Sequence, residues 1–510
     1  MQQRWSKTSP VNAPLSSILQ PAARSGERRS LLAAEPGVAL LSVLLVSILA
    51  IRIAGLALSN AELFYDEAQY WAWAQEPAFG YYTKPPLIAW LIGATTALCG
   101  DSPFCVRLPS PLMHFAISFV IYALAAKLHS RKIAFWAALT YAAMPGTSIS
   151  ATLMSTDVPL LLFWSLALLA LVYHVERPSL ALGFALGAAI GLGLNAKYAM
   201  GFLIPCYAAY AIVSAKARAS LRHSGTWAGL IVALLLIAPN LLWNASHQFA
   251  TFEHTRENAD WGGRFPNILG LLAFVGTQAA IIGPVPFAAF VLASIRRPAG
   301  VEEEPRRFHL ATSLPVFAAI CGQALISKAN GNWAATGFPA AVVLATAIML
   351  ALEWRRGMII TMAISAGALI GVTFAGSFAG TITSGPIGGE LGKMVGWGDF
   401  AAKVRNLAAV NGVKTVVFWG RGLTASMIYE LRGSDLEIRA YAADPNAPTD
   451  HFEMTRPWSP ADGGPVLLVY AGKYQPPAAI AARATLVEQF KTEIFITRGA
   501  DWMASAYRID

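Results

Sequence analysis

The sequence predicts a polytopic α-helical membrane protein with a small C-terminal α/β domain on its outer face. Three observations lead there. The 510 residues are 55% hydrophobic and only 13% charged, with a mean hydropathy of +0.50, whereas a soluble chain carries about a quarter charged residues. Apolar segments near the length of a membrane helix recur from residue 37 to residue 379. From about residue 385 the apolar runs shorten and alternate between strand and helix patterns.

Residues 1–36 are polar, contain Pro, Ser and Arg, and show no helical periodicity, so they read as a disordered cytoplasmic tail. The apolar run from Val38 is long enough to span and has no clear cleavage site, which argues against a removable signal peptide. Spans are expected at 37–57, 104–126, 133–151, 157–175, 180–194, 198–214, 226–243, 268–295, 309–327, 333–352 and 357–379, with a surface segment at 86–99. No internal repeat is visible.

The net charge of +9 is concentrated in short loops: Arg28/Arg29, Lys127/Arg131/Lys132, Arg177, Lys216/Arg218/Arg222, Arg296/Arg297/Arg306/Arg307 and Arg355/Arg356. That distribution is a positive-inside signature and not a nucleic-acid footprint. It places the N-terminus in the cytoplasm, and the first long loop (59–103) and the C-terminus outside. The predicted domains are thus the tail 1–36, a membrane domain 37–384 and an extracytoplasmic domain 385–510. In the last, GVKTVVFWG, LEIRAYA, GPVLLVYAG and TEIFIT read as strands, and FAAKVRNLAAVNG and AAIAARATLVEQF as amphipathic helices. Without a phosphate-binding glycine loop, it reads as an accessory lid or docking surface.

The chemistry concentrates in FYDEAQYWAWAQEPAFGYYTKPPLIAW, residues 64–90. Asp66 has two readings. With Gln69 three positions on it fits a capping box, and Glu67 would favour the positive end of the helix dipole. Asp66 can also be a general base, fixed close to an acceptor hydroxyl. Asp157, in STDVPLLLF, can cap its helix with Thr156 ahead of Pro159. It also lies at the outer end of its span, where a carboxylate facing a cavity is a functional candidate. Asp66, Glu67 and Asp157 form the candidate catalytic set.

Lys84, Lys197 and Lys328 run against the charge bias, since all three fall on the outer side. Snorkelling at helix ends is the plain reading; a clamp for a phosphate or pyrophosphate is the functional one. Tyr65, Tyr70 and Tyr82, with Asn332-Trp333 on another outer loop, suit a sugar ring or an isoprenoid chain, or serve as an interfacial belt. Cys99 and Cys105 flank the turn CGDSPFC, tight enough for a disulfide on an oxidising face; two unpaired thiols are the alternative. Cys206 and Cys321 read as small buried hydrophobes. His247, Glu253 and His254 match no zinc spacing and read as a solvated loop. No Ser-His-Asp elbow, Walker loop or dinucleotide fingerprint is present.

Together FYDEAQYWAW, GYYTKPPLIAWLIG, GDSPFCVRLPS, MSTDVPLLLFW, LGLNAKYA, LLWNASHQFATF and GNWAATGFP, in this order over residues 37–350, resemble the bacterial relatives of protein O-mannosyltransferases and of the lipid A aminoarabinose transferase. The resemblance implies a GT-C fold with about 11 membrane helices. It also implies inverting transfer of a sugar from a polyprenyl-phosphate donor to an envelope acceptor such as lipid A, core glycan or another lipid. On this likeness Asp66 matches the catalytic acid, Asp157 the second carboxylate, and Lys84 and Lys197 the donor-phosphate contacts. The chain departs from the pattern twice. Tyr82-Thr83-Lys84 stands where many relatives carry an acidic residue before the Pro-Pro pair, so no cofactor is certain and a divalent metal is left open. Gln69 replaces the arginine of the aminoarabinose branch, which leaves the sugar open. Transfer to secreted protein and flipping of lipid-linked sugars are the competing functions; a flippase should hold its key charges near the bilayer midplane. The expected home is the inner membrane, with the active site periplasmic.

Overall fold

The computed structural model describes residues 37–510 except 261, 263–264, 383, 473–475, 477, 493 and 495–502. The predicted tail 1–36 and most of the predicted strand TEIFIT therefore lie outside the described residues. Among those described, seven helices are long and apolar enough to cross a membrane, or eight if one bent pair counts as a single span. They are Val38–Ala57 (α1), Pro103–Leu128, Asp157–Glu176, Ser224–Ser246, Glu303–Ile326, Gly331–Ala351 and Arg355–Phe378.

The other four expected spans are shortened or broken, for local reasons. The 133–151 segment stops at Met144, whose extended ψ of 152° precedes Pro145. The 268–295 segment bends by 113° between Ile268–Ile282 and Pro284–Ile295, at Gly283 with φ +95°. Leu180–Ala196 and Tyr198–Val213 form two shorter apolar helices separated at Lys197, which is extended (φ −163°, ψ 137°).

Leu180–Ala196 lies unusually close to Ser224–Ser246. A Cβ at Gly183 would sit 1.9 Å from Gly225 O, and one at Gly187 would sit 2.0 Å from Gly229 O. Small residues permit this backbone approach. At the outer end Asn195 Nδ2 donates to Leu236 O across 2.9 Å, which fixes the helix just before Lys197.

Two further helices follow α1: Tyr65–Gln75 (α2) and Leu87–Cys99 (α3). Both pack into an apolar cluster of Leu63, Tyr70, Trp71, Trp73, Tyr81, Ile88 and Ile92. The same cluster takes in Ala425, Tyr429, Ala440 and Phe452 from the C-terminal domain. That domain is therefore docked on α2, and Trp71 meets Tyr429 edge-on at 5.0 Å.

The domain is a six-stranded sheet, β1 Thr415–Phe418, β2 Glu437–Tyr441, β3 Pro457–Trp458, β4 Val466–Ala471, β5 Ala484–Lys491 and β6 Met503–Ile509, in the order β3-β2-β1-β4-β6-β5. Strands β1 to β4 pair in parallel; β6 runs antiparallel to β4 and β5. The predicted helix AAIAARATLVEQF is corrected: only Ala478–Ala481 is helical and Ala484–Lys491 is strand β5. Pairing with β6 outweighs the amphipathic pattern there. The strand order reverses between β1 and β4, the switch point at whose carboxyl ends α/β sheets bind ligands. Gly420, at φ +101°, turns the chain there from β1 into the helix Arg421–Glu430.

Candidate active site

The helix α2 begins at Tyr65, and the residue that caps it is Glu67, whose Oε2 accepts from Phe64 N across 3.1 Å. The predicted Asp66–Gln69 capping box is not formed, and Glu67, a sequence candidate for catalysis, is held by the protein itself. It is 1% exposed, and both oxygens are occupied. Arg107 Nη2 donates to Oε2 at 2.8 Å, Arg107 Nε to Oε1 at 3.0 Å, and Met154 N to Oε1 at 2.9 Å. Arg107 also donates to Ala61 O and Glu62 O. One buried ion pair thus ties α2 to the segment that leads into the Asp157 helix.

Asp66 points elsewhere. Its Oδ1 accepts from Arg421 Nη1 at 2.7 Å, and the same nitrogen donates to Gln69 Oε1 at 2.8 Å. The Arg421 guanidinium lies 5.5 Å from the Tyr65 ring centre. Tyr70 is buried beside this pair. Its phenol is pushed well above the usual tyrosine range by desolvation, then by Asp66, so it stays a neutral donor.

Asp157 forms the second polar centre. No side-chain cap bond is made at Thr156. Instead, Asp157 Oδ1 accepts from Lys197 Nζ at 2.7 Å and Oδ2 from Asn332 Nδ2 at 2.6 Å. The extended backbone at Lys197 projects its side chain onto the first turn of the Asp157 helix.

Lys84 sits in a turn closed by Tyr81 N to Lys84 O at 3.1 Å and Lys84 N to Tyr81 O at 3.3 Å. The turn is pinned by Tyr81, which stacks on Trp73 at 4.6 Å and donates to Trp73 O at 2.9 Å. Among the described residues the Lys84 ammonium has no hydrogen-bond or ion-pair partner. Burial, then the charge of Lys197, lowers its pKa to about 8. Asp66 and Asp157 oppose that shift and Arg421 adds to it.

Lys84 and Lys197 line a cavity of about 420 Å³ with Tyr198, Thr251, Gln323 and Trp333, a size usual for small-molecule sites. Phe202, Ala319 and Ile320 make its apolar wall. The remaining candidates divide. Trp333 is on the cavity wall and Asn332 is on Asp157. Tyr82 donates to Pro448 O across 3.0 Å and so braces the C-terminal domain. Lys328 is exposed and outside the cavity lining. A helix end on the outer surface, where a lysine stays hydrated, accounts for its position. Cys99 and Cys105 are joined in a disulfide, with Cα atoms 5.9 Å apart. Among the described residues no group of three or more His, Cys, Asp or Glu side chains could hold a metal ion.

Arg107 and Arg421 escaped the sequence reading. Arg107 lies in GDSPFCVRLPS, a motif without chemistry of its own. Arg421 had a signal: TVVFWGRG is a strand, a glycine and a basic residue at a helix start on the outer side, the pattern of an anion-facing turn.

The relatives and the fold match show a membrane glycosyltransferase of the GT-C class. Residues 83–243 match the family model described as dolichyl-phosphate-mannose-protein mannosyltransferase. The fold is similar to that of ArnT from Cupriavidus metallidurans bound to undecaprenyl phosphate, with a TM-score of 0.63 at 14% identity, covering 92% of this chain and 98% of that one. The chain is 33% identical over 406 residues to the lipid A galacturonosyltransferase RgtD of Rhizobium johnstonii, covering 79% of this chain and 85% of the relative. It is 31% identical over 185 residues to the lipopolysaccharide core galacturonosyltransferase RgtA of the same organism, 35% of this chain and 36% of that one. The chain belongs to the family of RgtD, and it is a multi-pass inner-membrane protein.

Proposed function

We propose that this enzyme transfers a uronosyl group from a polyprenyl-phosphate donor to an envelope glycolipid, on the periplasmic face and with inversion. The observation that carries this reading is a cavity with one cationic and one apolar wall, lined by Lys84 and by Lys197, which Asp157 holds. A lipid phosphate needs both walls. The uronosyl identity rests on the galacturonosyl transfer named for RgtD and RgtA, and the lipid carrier on the undecaprenyl phosphate of the ArnT structure. The orientation, with the N-terminus cytoplasmic and the C-terminal domain periplasmic, rests on the loop charges.

In the proposed reaction the acceptor hydroxyl attacks the anomeric carbon. Its proton passes to Asp66, whose Oδ1 is already oriented by Arg421. The bond from the anomeric carbon to the phosphate oxygen breaks, and its electron pair leaves on that oxygen. Lys84 and Lys197 stabilise the added negative charge. Asp157 holds Lys197 in place and acts as a positioning residue. Glu67, with Arg107, keeps α2 and the Asp157 segment in register.

The test is direct: purified enzyme, polyprenyl-phosphate galacturonic acid and lipid A, with the acceptor followed by mass spectrometry. An acceptor mass increased by one uronosyl unit is expected. Modification of a secreted protein in place of lipid A, or donor moved across vesicles without transfer, would replace this reading.

A further inference from the structure

Arg421 commits only one of its nitrogens to the protein. Nη1 donates to Asp66 and Gln69, and among the described residues Nε and Nη2 are not hydrogen-bonded. The side chain is 32% exposed. An open Nε–Nη2 edge is the geometry that receives a carboxylate through two parallel hydrogen bonds.

Four other cations hold protein partners. Arg107 is enclosed by Glu67, Ala61 O and Glu62 O. Lys197 is on Asp157, and Arg456 is on Glu76. Arg432 lies 3.9 Å from the Tyr429 ring centre and donates to Tyr429 O. Lys84 has no hydrogen-bond or ion-pair partner among the described residues, and Arg421, close enough for its charge to act on Lys84, keeps its Nε–Nη2 edge unbonded. A polyprenyl-phosphate uronosyl donor brings two anions, a phosphodiester and a sugar carboxylate. The sugar ring has to lie between the leaving phosphate at Lys84 and the acceptor hydroxyl at Asp66. On that placement Arg421, hydrogen-bonded to Asp66, would stand beside the ring.

We propose that Arg421 receives the carboxylate of the donor sugar, so that the turn after β1 makes the C-terminal domain the selector of uronosyl over neutral hexosyl donors. This rests on the uronosyl reading above. A neutral sugar offers no anion to the open guanidinium edge, and a site built for a charged group discriminates against the analogue that lacks it. The device also explains why the domain is docked with its switch point on α2: the strand-end turn that binds anions in α/β sheets here faces the catalytic loop.

The test uses the full chain with galacturonosyl and galactosyl polyprenyl phosphates, and with lipid A carrying or lacking its phosphates. In the wild type, kcat/KM should favour the uronosyl donor. In Arg421→Ala the uronosyl-to-galactosyl ratio should fall by roughly 10²-fold, the size of a lost charged hydrogen bond, with Arg421→Lys between the two. The ratio is insensitive to the amount of folded enzyme. If both rates fall together and the ratio holds, Arg421 acts only through Asp66 and the assignment is wrong. If the loss appears only with phosphorylated acceptor, the anion is the acceptor's phosphate, and the assignment is again wrong. A wild type that transfers neither sugar, or prefers the neutral one, removes the uronosyl reading itself.

Discussion

Arg421 and Asp66 are 355 positions apart in the chain, yet Arg421 Nη1 lies 2.7 Å from Asp66 Oδ1. The pair joins the first outer loop of the membrane domain to the first turn of a helix in the C-terminal domain. One oxygen of Asp66 is thereby oriented, and the other carries no protein hydrogen bond among the described residues. A carboxylate held from one side and open on the other is arranged to accept a proton from an incoming hydroxyl.

Asp66→Asn keeps the shape and loses the base. Turnover should fall by about 10²–10⁴-fold, the usual contribution of a positioned general base, while donor affinity stays within a few-fold of wild type. Single-turnover assays with separate donor-binding measurements distinguish the two effects. Wild-type turnover in this variant would show that Asp66 is structural.

Lys84 gives the site a pH dependence. Its pKa is lowered to about 8 because burial and Lys197 disfavour the charged form, so the ammonium is present below that pH and lost above it. Donor affinity should therefore decline as pH rises through about 8, well before an ordinary lysine at about 10.4 would titrate. Lys84→Arg, which stays charged, should move this decline beyond the measured range, and Lys84→Ala should weaken binding roughly 10–10²-fold. A wild-type affinity that stays flat from pH 7 to pH 9 would remove Lys84 from the phosphate site.

Glu67 and Arg107 form the buried pair that sets the frame. Removing one partner of such a pair leaves a buried charge and typically costs about 3–5 kcal/mol; Glu67→Ala also orphans the backbone N–H groups of Phe64 and Met154. We expect Glu67→Ala and Arg107→Ala to lower the unfolding temperature in detergent sharply. Folded Glu67→Gln enzyme should lose far less turnover than Asp66→Asn. Equal losses in those two variants would put Glu67 back among the reacting groups.

The helical membrane domain was legible because lipid imposes one rule, a long apolar run per span, and that rule holds wherever Pro and Gly do not interrupt it. Met144-Pro145 and Gly283-Pro284 are the interruptions, and length alone does not reveal them. Lys84 and Lys197 stood out as candidates because they run against the loop-charge bias of the chain, and Asp66 and Asp157 because carboxylates at the ends of apolar spans are functional candidates. Their pairing could not be read. The partner of Asp66 comes from a different domain, and the fate of Glu67 depends on Arg107, forty residues away. Residues 484–491 show the same limit in the sheet, where β6 decides between helix and strand from across a gap in sequence.

The docking of the C-terminal domain yields the last prediction. Glu62 accepts from the backbone of Trp397 at 2.7 Å and of Gly398 at 2.9 Å, and so caps the helix Trp397–Val410 with a carboxylate. Such caps contribute about 1 kcal/mol, and the negative charge also suits the helix N-terminus. Glu62→Ala alone should be tolerated, because Tyr82 to Pro448 O and Tyr429 to Asp101 O still hold the domain. Combined with Tyr82→Phe and Tyr429→Phe, it should release the domain and separate Arg421 from Asp66. Turnover should then drop by 10-fold or more, and proteolysis should cleave near residue 385 faster than in the wild type. Lys84, fixed by Trp73 and Tyr81 within the first loop, should keep its pH dependence of donor binding in the triple variant. Full turnover with an undocked domain would mean that Arg421 is not needed at Asp66.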